Sequence, residues 1–402
     1  MKPIYYDATH TSHCEANTGI QRVVRRIFKE WPEAGALLPV VYDPYGRSWR
    51  RIDDAENNLL SFAEGMTPGV TRGARWSLPQ KLRGYGSRFT APEAAGFAEE
   101  ASGFLCAEVF GIDREAAAFR RLRKQVDGPF SALFYDTIAL QLPELTPRQT
   151  TLRFEAYLEK LLGFDRIFAI SEYSRDCLAA YWKKRGVSAT PELLAVPLGV
   201  DIPGERPEMI SSKDDSPLIL CVGTLEGRKN HVALLAACES LWHAGYKFRL
   251  RLIGTVNQET GSQAVAAIAR LRASGRPVEW FRRASDEELF LSYSECLFTV
   301  YPSLLEGFGL PVLESLAYGR PCVCSGLNAM AEVVRDGGCL SIGEPDANAL
   351  ALGIRRMLED SAKLASLRLE INRRSIKSWS AYAMDLNRLI HGAQSAHHGS
   401  SR

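Results

Sequence analysis

The chain has 402 residues, 46% of them hydrophobic and 24% charged, a composition that excludes fibrous, mainly disordered and disulfide-rich proteins. Lys and Arg number 49 and Asp and Glu 47, so the net charge of +2 gives no electrostatic reason to expect a nucleic-acid partner. The length exceeds that of one ordinary hydrophobic core and predicts two domains. No uncharged apolar run approaches the roughly 18 residues of a membrane span, and the N-terminus lacks a signal-peptide core. We therefore expect a cytoplasmic protein.

Strand and helix patterns alternate along the first half, which predicts parallel α/β layers. The first strand is expected at Ile4–Asp7, followed by a polar loop and a helix over residues 21–31. Ser171 has the position of an N-cap for a helix over residues 173–184. The stretch 43–105 follows no clear pattern and is left unassigned. Further strands are predicted at 130–135, 166–170 and 193–197.

A second α/β series follows the segment 201–217, which is rich in Pro, Ser and charge and is predicted to be a linker. Ser285 and Glu288 have capping-box spacing and predict a helix start. The two series predict twin doubly wound domains that face each other across a cleft, with ligands at the carboxyl ends of the strands. Strands are expected at 218–222, 248–253, 278–281, 297–301 and 322–324, and helices at 230–244 and 263–274.

The nine cysteines include no CxxC pair, so neither a disulfide framework nor a zinc ribbon is expected. Cys322 and Cys324 lie in the apolar run PCVCSG, and in a strand both would point to one face. Free cysteine commonly packs as a small hydrophobic residue, which favours a buried strand. A metal or redox role for the pair is the alternative.

Residues 302–319 read PSLLEGFGLPVLESLAYG and predict a glycine-rich loop that leads into a short helix. Gly307 and Gly309 permit a tight turn, and the N–H groups at the start of the helix can cradle a phosphate. Glu306 and Glu314 flank this cradle, an arrangement that suits a ligand joining hydroxyl groups to phosphate. The alternative for Glu314 is an acidic residue that only complements the helix dipole.

Residues 218–230 read LILCVGTLEGRKN, a buried strand that ends at Gly223 and Thr224 and is followed by a basic turn. The guanidinium of Arg228 beside the ammonium of Lys229 would match a diphosphate. A solvated basic turn would have the same local sequence. The segment is neither GxxxxGK[ST] nor GxGxxG with a later acid, which argues against a P-loop and a dinucleotide site.

These segments resemble the retaining glycosyltransferases of the GT-B fold, specifically glycosyltransferase family 4. Residues 306–314 resemble the family's pair of glutamates separated by seven residues, and residues 223–230 its diphosphate loop, in a form similar to bacterial mannosyl- and rhamnosyltransferases of surface polysaccharide (including lipopolysaccharide) synthesis. Residues 170–178 and 196–201 resemble the join to its hinge. Residues 375–383 are similar to its closing helix.

The resemblance implies an α/β GT-B fold, in which two Rossmann-like doubly wound domains face each other across a cleft. Residues 1–200 would form the N-terminal acceptor domain and residues 201–379 the C-terminal nucleotide-sugar donor domain. A helix over residues 380–393 would cross back to the first domain. The tail, residues 394–402, has a polar composition and is expected to be disordered.

The resemblance also implies roles for the second-domain residues. Arg228 and Lys229 would neutralise the leaving diphosphate, Glu306 would orient the sugar, and Glu314 would hold the ribose. The resemblance implies retention of the anomeric configuration with no metal or other cofactor. No carboxylate nucleophile is evident, which favours front-face attack. The donor-binding residues implied are Gly19, Gly223, Thr224, Arg228, Lys229, Gly254, Arg282, Glu306, Gly307, Phe308, Gly309, Leu310 and Glu314, with the base near 254–255 and 281–283.

In the first half, residues 18–22 (TGIQR) resemble the family's TGIxR loop. Gly19 would let the backbone approach the donor phosphate or the acceptor. Arg22 would contact phosphate or the acceptor, with an exposed helix face as the alternative. Tyr135 stands where the family often has a histidine that contacts the donor sugar. Asp136 is the candidate to position or deprotonate the acceptor hydroxyl, or else a structural residue that caps a loop.

Residues 71–90 contain five basic residues and no acid, with apolar side chains between them. Trp76, Lys81 and Arg83 belong to this segment, which could dock on an anionic membrane surface or on a lipid-diphosphate acceptor. A solvated basic loop is the alternative.

The function expected from the resemblance is transfer of a hexose, with mannose or a related sugar favoured, from a nucleotide-diphosphate sugar to a hydroxyl of a growing, lipid-linked bacterial surface glycan. The partners are then the nucleotide-sugar donor, the glycan acceptor and, for a peripheral protein, the inner face of the plasma membrane. A GT-B sugar-nucleotide epimerase and a non-catalytic nucleotide-sugar-binding scaffold are the alternatives.

Overall fold

The computed structural model describes residues 2–17, 19–33, 35–61, 73–90, 101–109, 113–204, 206 and 216–392. Thr18 of the predicted TGIxR loop, residues 71 and 72 of the basic segment, most of the predicted linker and the tail lie outside the described residues.

The described part of the first half forms a seven-stranded sheet in the order β3-β2-β1-β4-β5-β6-β7. Its strands pair in parallel except for β3, which runs antiparallel to β2 at one edge. Every residue of β1 and β5 is buried, as expected for strands covered by helices on both faces. The strands are β1 (Ile4–Asp7), β2 (Leu37–Asp43), β3 (Ser48–Arg51), β4 (Phe104–Cys106), β5 (Phe130–Phe134), β6 (Arg166–Ala169) and β7 (Glu192–Ala195).

The helices of this first domain connect the strands and cover the sheet. They are α1 (Gly19–Glu30), α2 (Asp54–Ser61), α3 (Leu78–Thr90), α4 (Asp113–Gln125), α5 (Ile138–Gln141), α6 (Arg148–Lys160) and α7 (Glu172–Lys184). The hydroxyl of Ser171 accepts a 3.0 Å hydrogen bond from the Ser174 amide, so the predicted N-cap of α7 is confirmed.

The second domain is built on a sheet that, over residues 216–392, has six parallel strands in the order β10-β9-β8-β11-β12-β13. These are β8 (Leu218–Val222), β9 (Arg249–Ile253), β10 (Val278–Phe281), β11 (Cys296–Tyr301), β12 (Cys322–Cys324) and β13 (Cys339–Ser341). Its helices are α8 (His231–His243), α9 (Ser262–Ala273), α10 (Asp286–Glu295), α11 (Leu310–Ala317), α12 (Ala329–Arg335), α13 (Ala347–Glu359) and α14 (Ser361–Arg373).

Two parallel α/β domains therefore follow one another, as the alternating pattern predicted. The capping box of Ser285 and Glu288 is present, and Cys322 and Cys324 are buried in β12 as expected. The unassigned stretch 43–105 contains β3, α2, α3 and β4 in its described part. Its strands are only three or four residues long, too short for a periodic pattern to be recognised.

The last helix, α15 (Trp379–Gly392), packs on the first domain although it follows the second one in sequence. Its Tyr382 and Leu386 side chains are fully buried in the same cluster as Val23 and Ile27 of α1. The segment before it also returns to the first half, where Val200 pairs with Ser378. The residue boundaries of the two domains remain predictions.

Candidate functional site

The carboxyl end of β5 meets the loop that follows β11 at one point of the interdomain cleft. A Cβ atom added at Gly307 would lie 2.6 Å from the Tyr135 carbonyl oxygen and 3.0 Å from Asp136 Cβ. Glycine is therefore required at 307 by close approach of the two domains. The contact brings Asp136 of the first domain next to Glu306 of the second.

The Glu306 carboxylate is the centre of the site. It is buried, and its Oε1 lies 2.6 Å from Lys229 Nζ and 2.9 Å from Arg228 Nη1. The Ser303 hydroxyl donates to the same oxygen, and the Lys229 ammonium also donates to the Tyr301 hydroxyl. The two segments singled out in the sequence thus meet in one cluster. Ser303 and Tyr301 were not predicted as members of the site. Tyr301 is the last residue of β11 and Ser303 lies in the loop after it, so the end of this strand sets their place.

The charges of this cluster fix its ionisation. Burial acts to raise the pKa of Glu306, but the charges of Arg228 and Lys229 outweigh it and lower the pKa to about 2. Burial lowers the pKa of Lys229, and the Glu306 charge opposes that effect. Arg228 is held on its other side by Glu226, with an Nη2 to Oε1 distance of 2.8 Å. The guanidinium and the ammonium thus come from one turn and share the Glu306 carboxylate, and their binding to a diphosphate stays a prediction.

The predicted phosphate cradle begins at Gly309, directly before α11. Gly309 has φ 110° in the left-handed region, and an added Cβ would lie 2.5 Å from Met330 Sδ. Both conformation and space therefore demand glycine. Gly307, Phe308 and Leu310 complete the loop, and Phe308 is buried in the interdomain core rather than open to the cleft.

The region predicted for the nucleotide base lies at the carboxyl ends of β8, β9 and β10. A Cβ at Gly254 would lie 2.0 Å from the Gly223 carbonyl oxygen, so these two loops touch through their backbones, next to Thr224. The Trp280 indole donates to the Gly254 carbonyl at 3.0 Å, and the Arg282 guanidinium lies 4.8 Å from the Trp280 ring centroid. These residues are brought together as predicted, and a nucleotide base beside them stays a prediction.

Glu314, predicted to hold the ribose, is paired with an arginine of the other domain. It lies on α11 with 8% of its side chain exposed, and its Oε1 contacts Arg22 Nη1. The second terminal nitrogen of Arg22 lies 2.7 Å from Asp201 Oδ2. Arg22 is therefore neither an exposed helix residue nor a residue held in the first domain alone.

Tyr135 does not take the place of the family's histidine, because its side chain turns into the first domain. Its hydroxyl donates to the Ala107 carbonyl at 2.5 Å and is buried. Asp136 Oδ1 accepts from the Ile138 amide at 2.9 Å, so the loop-capping alternative describes one of its oxygens. Burial raises the pKa of Asp136, and the hydrogen bond and the Arg228 charge oppose that rise.

Two residues that sequence reasoning missed join the domains next to the site. The Ser174 hydroxyl donates to the carbonyl oxygens of Tyr135, at 2.8 Å, and Gly307, at 3.2 Å. The Glu332 carboxylate accepts from the amides of Glu172, at 3.0 Å, and Tyr173, at 2.8 Å, at the start of α7. Ser174 carried a signal, since it stands three residues after the N-cap. Glu332 carried none.

Gly19 stands exposed at the first position of α1, and an added Cβ would meet nothing within 4 Å. Among the residues that the structure describes, no contact accounts for a glycine at this position. The approach of its backbone to a ligand stays a prediction.

The residues predicted for surface contact in the basic segment also have partners inside the first domain. The Trp76 ring stacks on the His13 ring with centroids 3.7 Å apart, and Arg83 pairs with Asp53 at 2.8 Å. Lys81 lies over the Tyr45 ring at 5.9 Å. Trp76 and Lys81 are thus partly covered by these contacts, whereas 43% of the Arg83 side chain remains exposed. Their contact with a membrane or an acceptor stays a prediction.

The exposed surface of α3 includes an apolar stripe as well as the basic residues Arg83 and Arg88. Leu78 is 68% exposed, Leu82 63% and Tyr85 49%, at positions that share one side of a helix. In the part of the chain that the structure describes, no helix has both the length and the apolarity needed to cross a membrane.

Comparison with known proteins identifies the second domain. Residues 205–377 match the family model described as glycosyl transferases group 1. The chain is 24% identical over 370 residues to the serotype-specific mannosyltransferase WbdA of Escherichia coli, covering 85% of this chain and 41% of the relative. It is 29% identical over 240 residues to the O-antigen chain mannosyltransferase B of Escherichia coli, covering 57% and 61%. The chain thus spans less than half the length of WbdA.

Solved structures share the architecture of the whole chain. Anabaena Alr3699/HepE, solved with UDP and glucose, has a TM-score of 0.68 at 14% identity and covers 97% of this chain and 99% of its own. Sucrose-phosphate synthase from Thermosynechococcus elongatus has a TM-score of 0.64 at 18% identity, covering 98% and 100%. At these identities the likeness concerns the fold, which is GT-B. The chain therefore has a GT-B fold, and its second domain is a glycosyl transferases group 1 domain.

Proposed function

We propose that this protein is a retaining, family 4 glycosyltransferase that moves mannose or a related hexose from a nucleotide-diphosphate sugar to a hydroxyl of a growing bacterial surface glycan. The observation that carries the proposal is the Glu306 carboxylate held by Arg228 and Lys229, with Asp136 facing it across the cleft. The similarity to mannosyltransferases of Escherichia coli supports the choice of sugar.

In the proposed reaction the bond between the sugar C1 and the diphosphate oxygen breaks, and a bond from C1 to the acceptor oxygen forms on the same face. Arg228 and Lys229 stabilise the charge that develops on the leaving diphosphate, and Glu306 orients the sugar. The acceptor proton passes to Asp136 or to the departing phosphate oxygen. The two cations supply the positive charge, so we propose that no metal ion is needed.

Nucleotide binding is the first test. GDP, UDP, ADP, CDP and dTDP are compared by thermal shift and calorimetry, and Arg228→Ala is expected to weaken the nucleotide that binds by about tenfold, or about 1.4 kcal/mol. Arg270→Ala is the matched control. Arg270 lies on α9 with 59% of its side chain exposed, and it pairs with Glu239 of α8. If both variants bind the nucleotide with equal affinity, the diphosphate site does not include Arg228.

Measurements of turnover distinguish the transferase from the epimerase and from the non-catalytic scaffold. With GDP-mannose, release of GDP that depends on an added glycan acceptor and persists in EDTA supports a metal-independent transferase. Interconversion of a UDP-sugar without acceptor would support the epimerase instead. Nucleotide binding without either reaction would support the non-catalytic scaffold, and loss of rate in EDTA that Mg²⁺ restores would contradict the metal-independent reaction.

A lipid-linked acceptor and a peripheral location at the inner face of the plasma membrane are part of the proposal. The apolar stripe of α3 supports them, because Leu78, Leu82 and Tyr85 are exposed and the Arg88 guanidinium lies 5.1 Å from the Tyr85 ring centroid. This face suits an anionic membrane surface.

Flotation with vesicles containing phosphatidylglycerol tests this location. The Leu78→Ser, Leu82→Ser variant is expected to float less than the parent. The control is Leu352→Ser with Leu369→Ser in the second domain, whose side chains are 57% and 56% exposed. Equal flotation of both variants, or no flotation of the parent, would remove the membrane from the proposal.

A further inference from the structure

Arg22 of α1 reaches across the cleft to a side chain of the second domain. Its Nη1 contacts Oε1 of Glu314, which lies in the second turn of α11 and is almost fully buried. Its Nη2 lies 2.7 Å from Asp201 Oδ2 in the segment that joins β7 to β8. One guanidinium therefore ties the first domain, the connecting segment and the donor-side helix together.

Arg26, one turn further along α1, provides a built-in comparison. Its Nη2 lies 2.7 Å from the other oxygen of Asp201, and 18% of its side chain is exposed against 27% for Arg22. The two arginines thus share a helix face and an aspartate. Arg22 differs in that it also contacts Glu314.

The electrostatics of Arg22 favour a firmly held cation. Burial acts to lower its pKa, but the charges of Glu314 and Asp201 outweigh burial and hold the pKa above its ordinary value. A carboxylate with 8% exposure is costly without a partner, because a buried charge loses its hydration. The partner of Glu314 comes from the opposite domain, so the ion pair requires the two domains to be in contact at this point.

We propose that Arg22 is a positioning residue that holds the Glu314 carboxylate ready for the ribose of the donor and thereby makes nucleotide affinity depend on domain closure. The inference rests on the proposed function, in which Glu314 receives the ribose hydroxyls. A carboxylate accepts hydrogen bonds at both oxygens, so the guanidinium on Oε1 leaves Oε2 for a hydroxyl. Closure and ribose binding then favour each other by the same coupling free energy.

A double-mutant cycle read out as nucleotide affinity tests the inference. Calorimetry with GDP, and with UDP in parallel, compares the parent with Arg22→Gln, Glu314→Gln and the double variant. Arg22→Gln is expected to raise the Kd about fivefold, and in the Glu314→Gln background it is expected to change the Kd less than twofold, because it acts through Glu314. Arg26→Gln, the matched control, is expected to change the Kd less than twofold.

A second measurement tests whether each variant is still folded. Urea unfolding of each variant shows whether the domains remain intact, and Arg22→Lys keeps the charge if Arg22→Gln does not fold. A lysine keeps the attraction but cannot contact Glu314 and Asp201 with one planar fork, so an intermediate affinity is expected.

Three results would overturn the inference. Tighter binding in Arg22→Gln would make Arg22 a competitor of the ribose. An equal loss in both backgrounds would mean that Arg22 acts on the nucleotide without Glu314. An equal loss in Arg26→Gln would assign the effect to Asp201.

The Arg228→Ala variant separates these failures from failure of the proposed function. If Arg228→Ala weakens binding while the cycle shows no coupling, only the role of Arg22 is wrong. If neither nucleotide binds the parent, or if Arg228→Ala has no effect, the donor site and the inference fail together.

Discussion

The Oε1 atom of Glu306 receives hydrogen bonds or ion pairs from Lys229, Arg228 and Ser303. A carboxylate so placed is already ordered, because every donor belongs to the turn after β8 or to the loop after β11. Fixed charge close to a reacting centre stabilises a transition state without the cost of reorganisation. Glu306 is therefore the side chain on which we expect transfer to depend most.

Replacing Glu306 by Gln is expected to lower kcat by about a hundredfold or more while the chain still folds, since removal of one preorganised charge contact commonly has an effect of this order. The measurement is acceptor-dependent release of nucleoside diphosphate. Glu287→Gln, at an exposed position of α10, is the control and is expected to keep the parent rate. Normal turnover of Glu306→Gln would remove this carboxylate from the mechanism.

The pH profile of kcat/KM is expected to have an acid limb from Asp136 and an alkaline limb from Lys229. Burial raises the pKa of Asp136, so the ionised base is lost as the pH falls through a value above the ordinary one. Burial lowers the pKa of Lys229, so its charge is lost as the pH rises through a value below the ordinary one. The same profile is measured for the residual activity of Asp136→Asn. If the acid limb persists in that variant, the limb belongs to another titrating group.

The start of α11 is the element that shapes the donor side of the cleft. Its N-terminal residue follows Gly309, whose left-handed backbone lets the chain turn from the Glu306 loop into the helix. Met330 of α12 packs against the same backbone. The direction of the first amides of α11 is thus set by one glycine and one neighbouring helix.

Gly309→Ala is expected to destabilise the protein by about 1–3 kcal/mol, because the residue must adopt φ 110° and its Cβ would lie 2.5 Å from Met330 Sδ. It is also expected to weaken nucleotide binding. Gly275→Ala is the control, since Gly275 has φ 75° with nothing within 4 Å of an added Cβ. Urea unfolding and calorimetry measure both effects, and equal nucleotide affinity of the two variants would contradict the cradle.

The two domains are joined at several places around the cleft. A Cβ at Gly227 in the basic turn would lie 2.9 Å from Leu145 Cδ2 of the first domain, and the Arg148 amide donates to Glu259 at 3.1 Å. The return of α15 to α1 adds a hydrophobic connection. The contact between the domains therefore combines polar and close-packed contacts at the cleft with the packing of α15 on α1.

Leu386→Ala in α15 is expected to destabilise the first domain by about 2–5 kcal/mol, the usual cost of removing a buried leucine. Leu386 is fully buried, whereas Met384 on the same helix is 48% exposed, so Met384→Ala is the control. Calorimetric unfolding should show a large shift for Leu386→Ala alone. Equal transitions would mean that α15 contributes little to the first domain.

The structure confirms those sequence predictions that concern single contiguous segments of the chain. The strands Ile4–Asp7, Leu218–Val222 and Val278–Phe281 lie where the pattern predicted them. The capping residues Ser171 and Ser285 likewise act within their own helices. Such features are decided by backbone conformation and hydrophobic periodicity over a few residues, so a short stretch of sequence contains all that is needed.

The loops of the second domain could be recognised for the same reason. Glycine and proline in 223–230 and 306–314 indicate turns and a helix start, and the paired charges indicate a polar site, without reference to the rest of the chain. The structure brings these two segments together around Glu306. The sequence alone did not include Ser303 or Tyr301 in this cluster, because hydroxyl groups are common. Only the packing at the end of β11 brings Tyr301 to Lys229 and Ser303 to Glu306.

Tertiary structure alone decided what pairs across the fold. Arg22 finds Glu314, Tyr135 turns into the core, and Glu332 caps a helix of the other domain. These partners are far apart in the chain, and their chemistry would suit many other residues equally well. The amino-acid sequence therefore predicts the two α/β domains and the two loops of the second domain. The contacts between the surfaces of the two domains depend on how both hydrophobic cores pack, which no local sequence pattern encodes.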